Sequence, residues 1–193
     1  MRIGIDYGSK LAGTTVIAFK KNGAIHLVKS VKNRDADQMI MNFVSDHQPE
    51  VIGIDAPLSL PGVYREIEGF SDYHYRACDK ALKAMSPMFL GGLTARAMKL
   101  KYELGQMATT VYETYPVETA KRFSLEVFGY RTKRPDYQGM LNALEQKGIR
   151  IASNIELTTS HDLDSILALV ATDNIGTTNE LKKGDHREGL IYC

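Results

Sequence analysis

One tetrapeptide occurs twice in this chain, as Ile3-Gly4-Ile5-Asp6 and again as Ile52-Gly53-Ile54-Asp55. Each copy lies in a short apolar run and ends in a carboxylate. Side chains alternate between the faces of a β-strand, so the two isoleucines of a copy share one face while Gly and Asp share the other. Each Asp then stands at a strand end with a bare glycine two residues behind it, which leaves open space on the carboxylate side. If the two strands are parallel neighbours, Asp6 and Asp55 meet at one edge of a sheet. Paired hard oxygen donors of that kind make an acidic, metal-binding site. A strand that merely ends in an Asp turn explains either copy alone; the pair together favours the site.

The remaining elements follow from pattern. Residues 2–7 form a buried strand, and Gly13 to Phe19 and Ala24 to Val31 form two more, joined as a hairpin by Lys20-Lys21-Asn22-Gly23. Asp35 to His47 carries Met39, Ile40, Phe43 and Val44 at helical spacing, and Val51 to Asp55 is strand four. Residues 56–110 are punctuated by Pro and Gly, with helices near 76–85 and 94–107. Val111 to Tyr115 is strand five, stopped by Pro116 and followed by a helix to about Phe128. Further helices fit Tyr137 to Lys147 and His161 to about Thr172. A meander, a crossover helix and then alternating strands and helices indicate an α/β domain in which strand four returns parallel to strand one. That order is the RNase H-like fold: a central mixed five-stranded sheet with helices on both faces, one domain over 1–193 with an insertion at about 56–110.

Phosphodiester cleavage by a pair of divalent cations roughly 3.5–4 Å apart needs three or four converging carboxylates. The candidates are Asp6, Asp55, Glu113, Asp162 and Asp164. Glu113 lies inside strand five, where an acidic residue is unusual unless it faces water on an edge. Asp162 and Asp164 open the last helix, where acidic residues also stabilise the helix dipole and Ser160 offers an N-cap. Asp164 borders the apolar stripe and is preferred over Asp162 as a ligand. His161 reads as a helix-start residue, since no second His stands at ligand spacing. Arg65, Arg76 and Arg96 are interleaved with Tyr64, Phe70, Tyr73, Tyr75 and Phe89, a mixture suited to phosphate and unpaired bases and equally to an ordinary core and surface.

Composition bounds the alternatives. The formal net charge is +1 over 193 residues, but residues 64–134 hold 12 Lys/Arg against 8 Asp/Glu. A basic surface beside an acidic site is compatible with that distribution, as is a solvated mixed face. Two cysteines, Cys78 and Cys193, make a disulfide framework improbable. With no membrane-length apolar run and no secretory segment before the first strand, the cytoplasm is the expected compartment. A second reading starts from Asp6-Tyr7-Gly8 and Gly13-Thr14-Thr15, a Gly-rich β-turn-β of the type that cradles phosphate in actin- and hexokinase-type ATPases; this would make the chain a nucleotide-binding phosphotransferase. A third is a non-catalytic nucleic-acid-binding or protein-binding module.

Several segments together resemble the DUF 429 family of predicted RNase H-like nucleases. They are Gly4-Ile5-Asp6, Ile54-Asp55-Ala56-Pro57-Leu58, Arg76-Ala77-Cys78-Asp79, Thr94-Ala95-Arg96-Ala97-Met98, Tyr112-Glu113-Thr114-Tyr115-Pro116 and the Asp162-x-Asp164 helix. The resemblance implies a metal-dependent nuclease with Asp6, Asp55, Glu113 and Asp164 as catalytic carboxylates. Asp6, Asp55 and Asp164, with Asp162 as the alternative, would hold two Mg²⁺ or Mn²⁺ ions. Glu113 to Pro116 with Lys121 is more remotely similar to RuvC-type Holliday-junction resolvases. The two-residue spacing of Asp162 and Asp164 departs from the three-residue spacing of that group, so junction resolution is not implied. Arg65, Arg76, Arg96 and Lys121 are the candidates for holding DNA or RNA; homodimerisation is left open.

Overall fold

A computed structural model describes residues 1–193. The chain forms strands β1 (Arg2–Asp6), β2 (Val16–Lys21) and β3 (Ala24–Lys29), helix α1 (Ala36–His47) and strand β4 (Val51–Asp55). Helices α2 (Ala77–Leu82), α3 (Pro87–Leu90) and α4 (Gly92–Gly105) precede β5 (Thr110–Thr114). Helices α5 (Pro116–Arg122), α6 (Tyr137–Gln146) and α7 (Ser160–Asn174) lead to strands β6 (Lys182–Asp185) and β7 (Gly189–Tyr192). All seven strands share one mixed sheet in the order β3-β2-β1-β4-β5-β7-β6.

The repeated tetrapeptides are parallel neighbours in perfect register. Ile3 pairs with Ile52, Gly4 with Gly53, Ile5 with Ile54 and Asp6 with Asp55. The alternation of side chains sorts the core into two layers. On one face Ile3, Ile5, Ile52 and Ile54 pack with Ile40 and Phe43 of α1 and Leu100 and Leu104 of α4. On the other, the apolar residues of α7 pack with Leu125, Met140 and Leu144 around Ala18 and Ile25 of the hairpin. Helices therefore cover both faces, as expected.

The glycine face is not open, and here the sequence reading needs correction. A Cβ added to Gly4 would lie 2.1 Å from the Leu169 backbone nitrogen and 2.6 Å from the Ser165 carbonyl oxygen. One added to Gly53 would lie 1.8 Å from Thr172 Oγ1. The two glycines form a bare strip on which the backbone of α7 rests. No larger residue permits so close a helix-to-sheet approach. That contact sets the depth at which the helix lies over β1 and β4.

The sheet has seven strands where five were expected. The C-terminal hairpin adds β7 parallel to β5, with Glu113 opposite Ile191 and Thr114 opposite Tyr192, and β6 outside it. Its strands are four residues long, and Lys182-Lys183-Gly184-Asp185 is polar and largely exposed, so no alternation marks it. The helix expected to reach Phe128 ends at Arg122 because Ser124 adopts φ +53°; a 3-10 turn spans Leu125–Phe128. Both cysteines are free and buried, and no helix is long and apolar enough to cross a membrane.

Gly4→Ala should cost more than about 3 kcal/mol, because the obstructing atoms are backbone and cannot rotate away. Gly105→Ala, at a helical glycine with nothing within 4 Å of the added carbon, should be neutral or stabilise by up to about 1 kcal/mol. Urea unfolding of the two variants checks the contrast. Equal effects would remove the close approach of α7 as the reason for the glycine.

Candidate metal centre

Three elements bring three carboxylates together. Asp6 and Asp55 occupy the C-terminal ends of β1 and β4, in register and on the α7 side of the sheet. Asp164 enters from the first turns of α7. One oxygen from each of Asp6, Asp55 and Asp164 lies within 4.8 Å of the others. Asp6 and Asp164 are buried, at 7% and 2% exposure. The cluster opens into a cavity of about 690 Å³. Residues 56–110 form one wall of that cavity through Pro57, Tyr75, Met85, Phe89 and Leu93.

The three acids differ in what supports them. Asp164 Oδ1 accepts a hydrogen bond from Tyr130 Oη at 2.7 Å, and its Oδ2 accepts one from Arg131 Nη2 at 2.9 Å. Asp6 Oδ2 meets His161 Nδ1 at 2.8 Å. Asp55 has no hydrogen-bond or ion-pair partner in the protein. Burial, reinforced by Asp6 and Asp164, raises its carboxyl well above the ordinary carboxylate range. Burial also raises Asp6, against the opposing effect of His161 and Arg131. Asp164 is pushed up to about 6, burial outweighing Arg131 and Tyr130. The hydrogen bond to Asp6 in turn raises the His161 imidazole. Like charges gathered in a poorly solvated pocket resist ionisation together, and an unpartnered carboxylate beside two others is a donor set that suits a hard divalent cation.

Asp162 lies outside the cluster. Its Oδ2 accepts from the amides of Thr158 and Thr159 at 2.8 and 3.0 Å and pairs with Lys29 at 2.8 Å. With Thr159 as N-cap this is a reciprocal capping box, so Thr159 fills the role expected of Ser160. Burial acts to raise the Asp162 carboxyl, but Lys29 and the two amides overcome it and hold the group below its ordinary value.

Glu113 lines the same cavity, with both oxygens engaged elsewhere. Arg76 donates Nη1 to Oε2 at 2.7 Å and Nη2 to Oε1 at 2.6 Å, and the Leu58 amide adds a bond to Oε2 at 2.8 Å. Arg76 also binds both oxygens of Asp79 and the Ser59 hydroxyl, and it is fully buried. Its donors are spent inside the protein, so a phosphate cannot reach them. Arg96 is turned onto Asp37 (2.9 Å) and the Gly8 carbonyl (3.0 Å), over the ring of Tyr7. Arg65 donates to the carbonyls of Arg187 and Glu188, where Glu188 binds the amides of Gly62 and Ala77. Lys121 pairs with Glu118 on the surface. None of these four basic residues lines the cavity of the carboxylates. The phosphate-loop reading also lacks its donors: the Gly8 amide is given to Thr15 Oγ1 at 3.1 Å, and Gly13 packs on the Lys32 backbone.

Residues 4–90 match the model of the family described as "Protein of unknown function (DUF429)". Over that stretch the chain is DUF429-like. Among solved structures, T. thermophilus RuvC in complex with Holliday junction substrate is similar at 15% identity and TM-score 0.43, covering 91% of this chain and 96% of that one. The Thermus thermophilus RuvC structure is similar at 14% identity and TM-score 0.42, with the same coverage. No curated protein matches the chain.

The cluster makes a thermodynamic prediction for the metal-free protein. Because the folded-state pKa of Asp55 is raised, its ionisation opposes folding. The penalty is absent below the unfolded-state pKa and grows as pH rises through the folded-state value. Asp55→Asn should therefore match the parent near about pH 4 and exceed its stability at about pH 8. Chemical unfolding in chelator at the two pH values measures this; a variant less stable than the parent at high pH would show that Asp55 is held by a partner.

Proposed function

We propose that this protein is a metal-dependent nuclease of RNase H-like fold that hydrolyses phosphodiester bonds in DNA or RNA. The observation that carries the reading is Asp55, a carboxylate without a partner, facing Asp6 and Asp164 across less than 4.8 Å at the floor of a cavity. Asp6, Asp55 and Asp164 would hold Mg²⁺ or Mn²⁺, the hard cations suited to an all-oxygen donor set. Such an ion supplies Lewis acidity toward a phosphoryl oxygen and activation of water. Asp162 caps the helix that delivers Asp164.

The protein's own groups divide the other tasks. Asp6 and Asp55 are fixed by the sheet and Asp164 by α7, so the donors are preorganised on regular elements. Glu113 forms a flank of the cavity, clamped by Arg76 so that its position depends on that pair. His161, about 39% exposed and bonded to Asp6, stands at the rim, where it can orient the Asp6 carboxylate. Tyr75 and Phe89 present aromatic surface in the opposite wall, edge to face at 6.1 Å, and Phe89 is two-thirds exposed. Aromatic faces of this kind stack on unpaired bases.

Purified protein should cleave at least one of a panel of single strands, duplexes, RNA–DNA hybrids and branched DNA in Mg²⁺ or Mn²⁺, and chelator should stop it. Asp55→Asn should lower the rate by at least about a hundredfold while remaining folded, because Asn keeps the shape but not the anion. Cleavage that persists in chelator, or is undiminished in the Asn variant, would falsify the assignment. No cleavage of any substrate, with Mn²⁺ still bound, would favour the nucleic-acid-binding module.

A further inference from the structure

Arg131 is the only cationic side chain joined to the three-carboxylate cluster apart from His161, and it is held there by an unusual backbone. The chain reverses after Leu125–Phe128 through Gly129 at φ +77° and Arg131 at φ +62°. The left-handed region is natural for glycine and costly for a residue with a side chain. It brings the guanidinium onto Asp164, Nη2 to Oδ2 at 2.9 Å, with Nε at 3.3 Å from Tyr130 Oη. The Asp164 side chain is 3% exposed and fixed in α7, whereas the Arg131 side chain is 51% exposed and mounted on a loop. The acid is anchored, and its cationic partner has an exit to solvent.

The pairing is also asymmetric. Arg131 and Tyr130 occupy both oxygens of Asp164, while Asp55 has no partner at all. A divalent ion drawn to the three carboxylates and the Arg131 guanidinium therefore compete for Asp164. Arg131 lines the 690 Å³ cavity and also an adjoining one of about 640 Å³, whose lining includes Lys133. Lys133 and Arg134 form no ion pair within the protein. Guanidinium groups bind phosphate through paired hydrogen bonds. We propose that Arg131 is the resident counter-cation of the cluster, yielding Asp164 to an incoming divalent ion and then contacting the substrate phosphate. This rests on the metal-dependent reading of the same site.

The test uses Mn²⁺ alone and a short mixed-sequence single-stranded oligonucleotide as probes. By calorimetry, Arg131→Gln should bind Mn²⁺ roughly two- to fivefold more tightly than the parent, the scale of releasing a half-exposed ion pair. In an Asp164→Asn background the gain should shrink to less than half, because the contested carboxylate is gone and only the longer-range effect of Arg131 on Asp6 and Asp55 remains. With Mn²⁺ saturating, Arg131→Gln should bind the oligonucleotide more weakly, by about tenfold. A role in structure alone would weaken both affinities together. Arg131→Gly suits φ +62° and serves as the second variant if Arg131→Gln unfolds early. Unchanged or weaker Mn²⁺ binding in the variant, or a gain that is undiminished in the Asp164→Asn background, overturns the competition. Undiminished oligonucleotide affinity overturns the phosphate contact. Absence of Mn²⁺ binding in the parent and every variant removes the metal reading itself, and this inference with it.

Discussion

The contact on which the site depends is between the backbone of α7 and two glycines. Gly4 and Gly53 pair across β1 and β4 and present no side chain to the helix. The helix can then lie against the strands closely enough for Asp164, on its first turns, to reach Asp6 and Asp55 at the strand ends. Ordinary helix-on-sheet packing holds the two elements apart by the bulk of the side chains between them. The glycines and the aspartates of the repeated tetrapeptide thus act on one face: the first set the distance of the helix, and the second use it. The isoleucines fill the other face with core.

Electrostatics explains what surrounds this contact. Three adjoining acids, Asp6 and Asp164 buried and Asp55 half-buried, resist ionising together without opposing charge, and the fold provides it unevenly. Asp6 has His161, Asp164 has Arg131 and Tyr130, and Asp55 has none. Beside them lies a network in which Arg76 holds Glu113 and Asp79 and every carboxylate oxygen has a hydrogen-bond donor. Buried pairs of this kind gain little over an apolar core, but losing one partner is expensive because a bare charge is left behind. The trio differs from that network in offering an unpartnered carboxylate, Asp55, to the cavity. Asp55 alone among these acids has no partner within the protein.

Much of the arrangement could be read from the sequence. The alternation in Ile-Gly-Ile-Asp set faces and strand ends, and the meander followed by a crossover helix made β1 and β4 parallel neighbours. The preference for Asp164 over Asp162 rests on the apolar stripe, and a second signal points the same way: Thr159 and Asp162 stand at capping-box spacing, which engages Asp162 at the helix start. Glu113 and Arg76 are 37 residues apart, and no local pattern links a mid-strand acid to a base in an irregular segment. Arg131 reaches Asp164 through a left-handed loop conformation that its sequence does not announce. The C-terminal hairpin escaped because four-residue polar strands carry no periodicity. What stayed hidden was tertiary: which charged groups meet once distant loops are folded over the sheet.

The central claim is that Asp6, Asp55 and Asp164 together hold a divalent cation. Crystals of the protein soaked in Mn²⁺, with diffraction recorded at the manganese absorption edge, test it most directly. The account predicts an anomalous peak between the three carboxylates that disappears in Asp55→Asn crystals soaked in the same way. Well-ordered crystals with no peak at the cluster, or with Mn²⁺ bound only elsewhere, would contradict it.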